Sequence, residues 1–259
     1  MIQKIFFEKM HGAGNDFVLI DNRHQQFVQT KSIIQSLADR HRGIGFDQLI
    51  LIQDSHNPHC DAAYRFFNPD GSEAEQCGNG QRCISQYLYN NNPTKTNFCV
   101  SGLAGLMYSQ VNMNDSVTIK MGSTKSIKPV TIDNNICYQV DFGNPHLIHI
   151  MQNIDNIDLI KLNQKFTKDF TNGVNFEIVG IIDNDNIKLR VSERGTGETL
   201  ACGSGACATV AALQYAKKLS NRVKVILPGG NLVVEYNHEE NNYYLTGPTT
   251  HVFTGEISI

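Results

Sequence analysis

The chain has 259 residues, enough for one large domain or two of about 130 residues each. It is long enough to bury a core without disulfides or metals. Its formal net charge of −3 excludes a broad basic surface, so neither bulk nucleic-acid binding nor attachment to an anionic membrane is expected. There are seven cysteines and no tryptophan, and an odd number of thiols does not close into a disulfide framework.

Met1–Met10 contains Lys4, Glu8 and Lys9 and no apolar stretch, so no secretory leader is expected. The run Leu49–Ile52 is too short to cross a bilayer. The expectation is a cytoplasmic protein with reduced cysteines. Strands are expected at Ile2–Phe7, Phe17–Ile20, Gln48–Ile52, Ala62–Phe67, Val117–Met121 and Cys137–Phe142. Further strands are expected at Phe176–Ile182, Ile187–Val191, Val223–Leu227, Leu232–Tyr236 and Tyr243–Thr246, each rich in β-formers and flanked by turn residues. Helices are expected at Thr30–Arg42, with Gly43 as its stop, and at Asn79–Asn90, Asp155–Lys168 and Ser204–Leu219. Strands and helices do not alternate strictly, which argues against a doubly wound parallel sheet and for an α+β fold with mostly antiparallel pairing. Lys120–Pro129 reads as a crossing between two halves, residues 1–121 and 122–247.

One short motif repeats. Cys77-Gly78-Asn79-Gly80 returns as Cys202-Gly203-Ser204-Gly205, each copy after a strand and a polar loop and before a helix. Upstream, Gly14-Asn15-Asp16 has a partner in Gly143-Asn144-Pro145. The matched contexts point to an internal duplication in which each half supplies one side of a shared cleft.

A cysteine at a helix start meets unpaired N–H groups and the positive end of the helix dipole, both of which favour a thiolate. Moving a thiol from about 8.5 to about 7 takes roughly 2 kcal/mol, and a helix terminus supplies about 0.3–2 kcal/mol. Two thiolates about 7 Å apart repel by about 2.4 kcal/mol at an effective dielectric of about 20, so one thiolate and one thiol is the natural resting pair. That pair suits a two-base inversion, in which one sulfur removes an α-proton and the other returns a proton to the opposite face. Metal binding is the competing reading, but five residues separate Cys77 from Cys83 and four separate Cys202 from Cys207, with no His pair at matching spacing. No C-x-x-C redox pair and no phosphate loop occurs. Cys60, Cys83, Cys99, Cys137 and Cys207 read as packing residues.

Together these motifs resemble diaminopimelate epimerase. The resemblance runs from Lys9-Met10-His11-Gly12-Ala13-Gly14-Asn15-Asp16-Phe17 through Gly45-Phe46-Asp47-Gln48 and Phe67-Asn68-Pro69-Asp70-Gly71-Ser72 to Cys77–Cys83. It continues through Gly143-Asn144-Pro145-His146, Val174-Asn175, Glu193-Arg194-Gly195, Ala201–Ala206 and Gly247-Pro248. It implies a cofactor-independent isomerase, without metal, that interconverts LL- and meso-diaminopimelate in lysine and peptidoglycan precursor synthesis. It also implies a homodimer, and two pseudo-symmetric domains, each a β-barrel-like sheet around a central helix. The tail, residues 248–259, would return to the first domain. By carry-over, Cys77 and Cys202 are the two bases. Asn15, Gln48, Asn68, Asn144, Asn175, Glu193 and Arg194 hold the substrate, and Gly78, Asn79, Gly203 and Ser204 form the helix-start cradles. His146 and Glu193 support proton transfer. The family often has Trp where this chain has Ser192, which bears on the packing beneath Arg194.

Overall fold

A computed structural model describes residues 3–259, so the expected strand start at Ile2 lies outside the described residues. In chain order the elements begin with β1 (Lys4–Gly12), β2 (Asn15–Asp21), α1 (Lys31–Ala38), β3 (Gln48–Gln53), β4 (Ala62–Phe67) and β5 (Glu73–Ala74). They continue with α2 (Gly78–Asn91), β6 (Asn97–Gly102), β7 (Gly105–Val111), β8 (Ser116–Gly122), β9 (Ser126–Ile132) and β10 (Asn135–Asp141). Next come β11 (Pro145–Ile150), α3 (Leu159–Phe166), β12 (Asn175–Ile181), β13 (Asn186–Glu193), β14 (Gly197–Thr199) and α4 (Gly203–Tyr215). The last are β15 (Arg222–Leu227), β16 (Gly230–Asn237), β17 (Asn242–Pro248) and β18 (Thr250–Ser258). No helix among the described residues is long and apolar enough to cross a membrane.

The chain divides into two units, one running to Ile119 and including Pro248–Ile259, the other Lys120–Gly247. In the first, β1 lies antiparallel to β2 and β18, β2 runs parallel to β3, and β3 pairs antiparallel with β4. There β4 takes β5 antiparallel and β6 parallel, and β6–β7–β8 complete an antiparallel meander. The second unit repeats every pairing in the same order and sense. β10 lies antiparallel to β11 and β9, and β11 runs parallel to β12, which pairs antiparallel with β13. Then β13 takes β14 antiparallel and β15 parallel, and β15–β16–β17 form the meander. Each unit is thus a mostly antiparallel, β-barrel-like sheet, and the two are pseudo-symmetric.

The period-two alternation of a strand explains the layering. In the first unit Val18, Ile20, Leu49 and Leu51 join Ile34 and Leu37 of α1 in one core cluster. On the opposite face Phe17 and Phe66 lie against Gly80 of α2, which packs on β1, β2, β3 and β7. Strands covered on both faces read as continuous apolar runs, as Leu49–Ile52 does. In the second unit Leu147, Phe176 and Ile178 meet Leu159 and Phe166 of α3, while α4 packs on β9–β12 and β16. Helix α1 begins at its Thr30 cap, whose hydroxyl takes the Ile33 N–H. It ends at Ala38, short of the expected Arg42, and Gly43 lies in the turn beyond. Strands β5, β6, β7, β9, β11, β14 and β18 were not foreseen. The sequence of β9 contains Pro129, and β18 is largely exposed, so neither carries a clear apolar alternation.

Candidate active site

Both repeated cysteines occupy the N-cap of the central helix of their unit, with extended backbone angles (φ −145°, ψ 111° for Cys77; φ −128°, ψ 117° for Cys202). Their carbonyls take the first helical hydrogen bonds, from Gln81 N–H and Ala206 N–H. The small residues that follow are needed sterically: a Cβ on Gly80 would run into the Phe66 and Phe17 rings, and one on Gly205 would stand 2.8 Å from Glu177 Oε1 and 3.4 Å from Cys202 Sγ.

In the first unit the hairpin β1–β2 turns through Ala13 (φ 54°) and Gly14 (φ 84°), a two-residue loop of type I′ that presents Asn15. Asn15 Oδ1 lies 3.4 Å from Cys77 Sγ and receives Asn79 Nδ2 at 3.3 Å. The fully buried Arg82 donates through Nη2 to Asn79 Oδ1 at 2.9 Å and through Nη1 to the Gly78 carbonyl at 3.4 Å, which turns the Asn79 amide toward Asn15. On the other side Asn15 Nδ2 donates to Asp47 Oδ2 at 2.9 Å. Asp16 and Asp47 share Arg40, and Lys9 reaches Asp16 and the Gly45 carbonyl. Burial alone would push the Asp16 carboxyl up, but Arg40 and Lys9 outweigh it and hold it at about 2. Gln48 and Asn68 form a separate pair: Gln48 Nε2 donates to Asn68 Oδ1 at 3.1 Å, and Asn68 Nδ2 donates to Ser72 Oγ at 3.0 Å. Gln48 Oε1 is buried without a hydrogen-bond partner.

The second unit joins its groups into one chain. Glu177 Oε1 lies 2.6 Å from His146 Nδ1, and His146 Nε2 lies 3.0 Å from Asn144 Oδ1. Asn144 Nδ2 donates to Ser204 Oγ at 3.4 Å, and Ser204 Oγ lies 3.5 Å from Cys202 Sγ, which also accepts the Gly205 N–H at 3.4 Å. Because Asn144 Oδ1 only accepts, His146 carries its proton on Nε2. The Glu177–His146 contact then needs one further proton, on Nδ1 as imidazolium or on the carboxyl. Both side chains are 0% exposed, and Glu177 Oε2 has no hydrogen-bond partner. Burial raises the Glu177 carboxyl, His146 opposes that, and Glu193 adds to it. Beside the chain, Asn175 Oδ1 accepts the Arg194 N–H at 2.9 Å, Glu193 Oε1 accepts Thr199 Oγ1 at 2.6 Å, and Arg194 Nη1 donates to the Asn172 carbonyl at 3.3 Å.

Two sequence expectations need correction. A helix start was expected to lower the thiol, yet Cys202 is raised well above its ordinary value. Burial comes first, and Glu193 and Glu177 add to it; the Ser204 and Gly205 hydrogen bonds are too weak to compensate. Nor are Cys60 and Cys99 core packing residues, for both are half-buried with their sulfurs 3.1 Å apart. Cys83 and Cys137 do lie in the core, where burial pushes their thiols up to about 12 and about 11. Ser192 is buried, and its Oγ accepts Asn163 Nδ2 at 2.8 Å. Gly173 (φ 69°) leaves room for the Arg194 stem, since a Cβ there would stand 2.8 Å from its Cγ and Cδ.

Sequence reasoning missed Glu177 and Arg82. The signal for Glu177 was present, as a lone carboxylate inside an otherwise apolar strand run is costly unless paired. Among the described residues no group of three or more His, Cys, Asp or Glu side chains converges as a metal site would require.

The sequence model of the diaminopimelate epimerase family matches residues 7–127 and 138–252. Among solved structures, the chain is similar to a PhzF-family phenazine biosynthesis protein of Bacillus anthracis, at 15% identity over 99% of this chain and 100% of that one, with a TM-score of 0.76. It is similar to a hydroxyproline epimerase of Agrobacterium vitis with bound trans-4-hydroxy-L-proline, at 12% identity over 99% and 92% of the two chains, TM-score 0.75. It is also similar to a probable proline racemase of Agrobacterium radiobacter with bound carbonate, at 14% identity over 98% and 92%, TM-score 0.73. At these identities the likeness establishes a shared fold.

Proposed function

The chain belongs to the diaminopimelate epimerase family, and from that premise we propose that it interconverts LL- and meso-diaminopimelate by proton transfer between two thiols, without a cofactor. The observation that carries this reading is the pairing-for-pairing repeat of the fold, with a cysteine at the same helix N-cap in each copy. Inversion at a carbon needs an acid and a base on opposite faces, and a duplicated scaffold supplies two equivalent groups.

In one direction Cys202 is the acid. Its buried, carboxylate-flanked thiol holds its proton until a carbanion draws it away. Cys77 is then the base, and the roles reverse in the other direction. The helix-start N–H groups after each cysteine, at Gly78-Asn79 and Gly203-Ser204, take the α-carboxylate and the charge that spreads into it. His146 keeps Asn144 and Ser204 oriented around Cys202. Asn15, Gln48, Asn68, Asn144, Asn175, Glu193 and Arg194 bind the zwitterionic ends of the substrate, for which both donors and acceptors are needed. The partnerless Gln48 Oε1 suits an ammonium donor. This reading places the protein in the cytoplasm, as a homodimer, in lysine and peptidoglycan precursor synthesis.

The test is α-hydrogen exchange in deuterated water with purified, reduced protein and no added cofactor. Exchange into diaminopimelate, and none into proline or trans-4-hydroxyproline, is the expected result. Exchange into the cyclic amino acids alone would reassign the substrate, and no exchange into any of them would defeat the two-thiol reading.

A further inference from the structure

Cys60 and Cys99 belong to no part of the site described above. Cys60 lies two residues before β4, and Cys99 is the third residue of β6. The parallel pairing of β4 with β6 brings them together, through only the partners Ala62↔Val100 and Ala63↔Ser101. Just outside that short ladder the backbone is tied again: Asp61 N–H donates to the Cys99 carbonyl at 2.7 Å, and Cys99 N–H donates to Asp61 Oδ2 at 2.9 Å. Lys95 Nζ holds the same carboxylate, and Cys60 N–H donates to the Asn57 carbonyl at 3.0 Å. Both residues beside the sulfurs are therefore fixed, and the sulfurs lie 3.1 Å apart. A disulfide needs about 2.05 Å, so roughly 1 Å of approach separates the dithiol from the bond. Cys99 also lines a surface cavity of about 270 Å³ with His59, Asp61, Lys95 and Tyr108, and both cysteines are half-buried, so a small oxidant has access.

We propose that Cys60 and Cys99 form a dithiol modification site that a peroxide converts to an intramolecular disulfide, locking β4 to β6. The Cys60 sulfur attacks one oxygen of the peroxide. An S–O bond forms, the O–O bond breaks, and the leaving hydroxide takes up the thiol proton as water. The Cys99 sulfur then attacks Cys60 Sγ, the S–S bond forms, the S–O bond breaks, and the second oxygen leaves as water with the Cys99 proton. The two sulfurs together lose two electrons and the peroxide gains them. Cys99 is the resolving partner, because burial first, then Cys60 and Asp61, lift its thiol to about 11. A preset partner makes the second step intramolecular and faster than further oxidation of Cys60.

The test uses the reduced full-length protein. It is treated with stoichiometric hydrogen peroxide, the remaining thiols are alkylated, and the non-reduced digest is read by mass spectrometry. The expected product is a Cys60–Cys99 peptide pair two hydrogens lighter than its separated halves, abolished by dithiothreitol. In Cys99→Ser, Cys60 should stop at the sulfenic acid and be trapped by dimedone. Recovery of Cys60 and Cys99 as separate alkylated peptides from protein whose other thiols have oxidised would overturn the proposal. So would their appearance in crosslinks to other cysteines. The wild-type digest decides the matter even if the variant does not fold.

Discussion

Replacing Glu177 tests how the second thiol is held. Its carboxylate lies 2.6 Å from His146 Nδ1, both groups are 0% exposed, and the contact fixes the proton on Nε2 that faces Asn144. In Glu177→Leu the Nδ1 position loses its partner. The imidazole is then free to carry its proton on Nδ1, which turns a lone pair toward Asn144 Oδ1 and unseats Asn144 and Ser204. An unsatisfied buried group costs about 1–3 kcal/mol, and if the cost is relieved only by misorienting the chain, turnover falls about 5- to 150-fold. Stability should fall as well, by up to about 3–5 kcal/mol, because removing one partner of a buried pair leaves the other uncompensated. In Glu177→Gln the amide N–H still donates to Nδ1 and keeps the tautomer, so kcat should stay within about threefold of wild type. The same variant removes a carboxylate that raises the Cys202 thiol, so the alkaline limb of the pH profile should move to lower pH. The measurement is α-hydrogen exchange of diaminopimelate across pH, with kcat and KM separated and folding checked by thermal denaturation. Equal losses in folded Leu and Gln variants, or an unchanged pH profile in both, would refute the positioning role.

Three further outcomes are expected. Cys77→Ala and Cys202→Ala should each abolish exchange, whereas Cys60→Ala in reducing buffer should retain it; an equal loss in all three would point to folding. Asp16 is held at about 2 against an ordinary value near 3.8, so its contribution is present above pH about 4 and lost as pH falls toward 2. After discounting for the half-exposed Arg40 partner, that contribution is about 1–2 kcal/mol. Urea denaturation at pH 5 and pH 2.5 should show wild type losing about two thirds of that amount more than Asp16→Asn, and identical losses would exclude the Arg40–Asp16–Lys9 cluster as an acid-labile element. Gly80→Ala should destabilise by about 1–3 kcal/mol, because its Cβ runs into Phe66 and Phe17. Gly180→Ala meets nothing nearer than 3.9 Å and serves as the control, with little change in its melting temperature.

What the sequence disclosed follows from which physical signals are local. The two helix starts were legible because a small-residue run after a cysteine marks a cap wherever it occurs. The buried strands β2, β3 and β12 were legible because cover on both faces forces largely continuous apolar runs, and β4 through its alternation of buried and half-exposed residues. Strands β7 and β18 are exposed along much of one face and hold their place through backbone pairing, which leaves little trace in side-chain type. The Asn and Gln residues of the candidate site could be named from their motifs, but not their partners. Whether Asn15 bonds Cys77 or Asn68 bonds Gln48 depends on strand register. The ionisation of Cys202 was misjudged for a related reason: the helix start is a local feature, while burial and the two nearby carboxylates are tertiary ones.

Register also shows where the two copies of the scaffold differ. In the first unit Phe17 stands opposite Gln48 and Leu19 opposite Ile50; the equivalent pairs in the second are His146 opposite Asn175 and Ile148 opposite Glu177. The bidentate pairs Arg65–Glu73 and Arg190–Glu198 confirm the alignment, since each joins the fourth strand of the repeat to its short fifth. Beneath α2, then, the two aligned core positions hold a phenylalanine and an isoleucine, while beneath α4 they hold a histidine and a glutamate. The fold does not require the ionisable pair, because the first unit builds the same sheet and helix without it. Burying such a pair gains little for stability over apolar side chains of similar size. The pair therefore makes the second thiol chemically unlike the first: Cys202 is wired to a shared proton through Asn144 and Ser204, whereas Cys77 faces an amide cluster braced by Arg82 and Asp47. The two helix caps of the duplicated scaffold therefore share their backbone geometry and differ in their surroundings, one beside an amide cluster and the other beside a buried His–Glu pair.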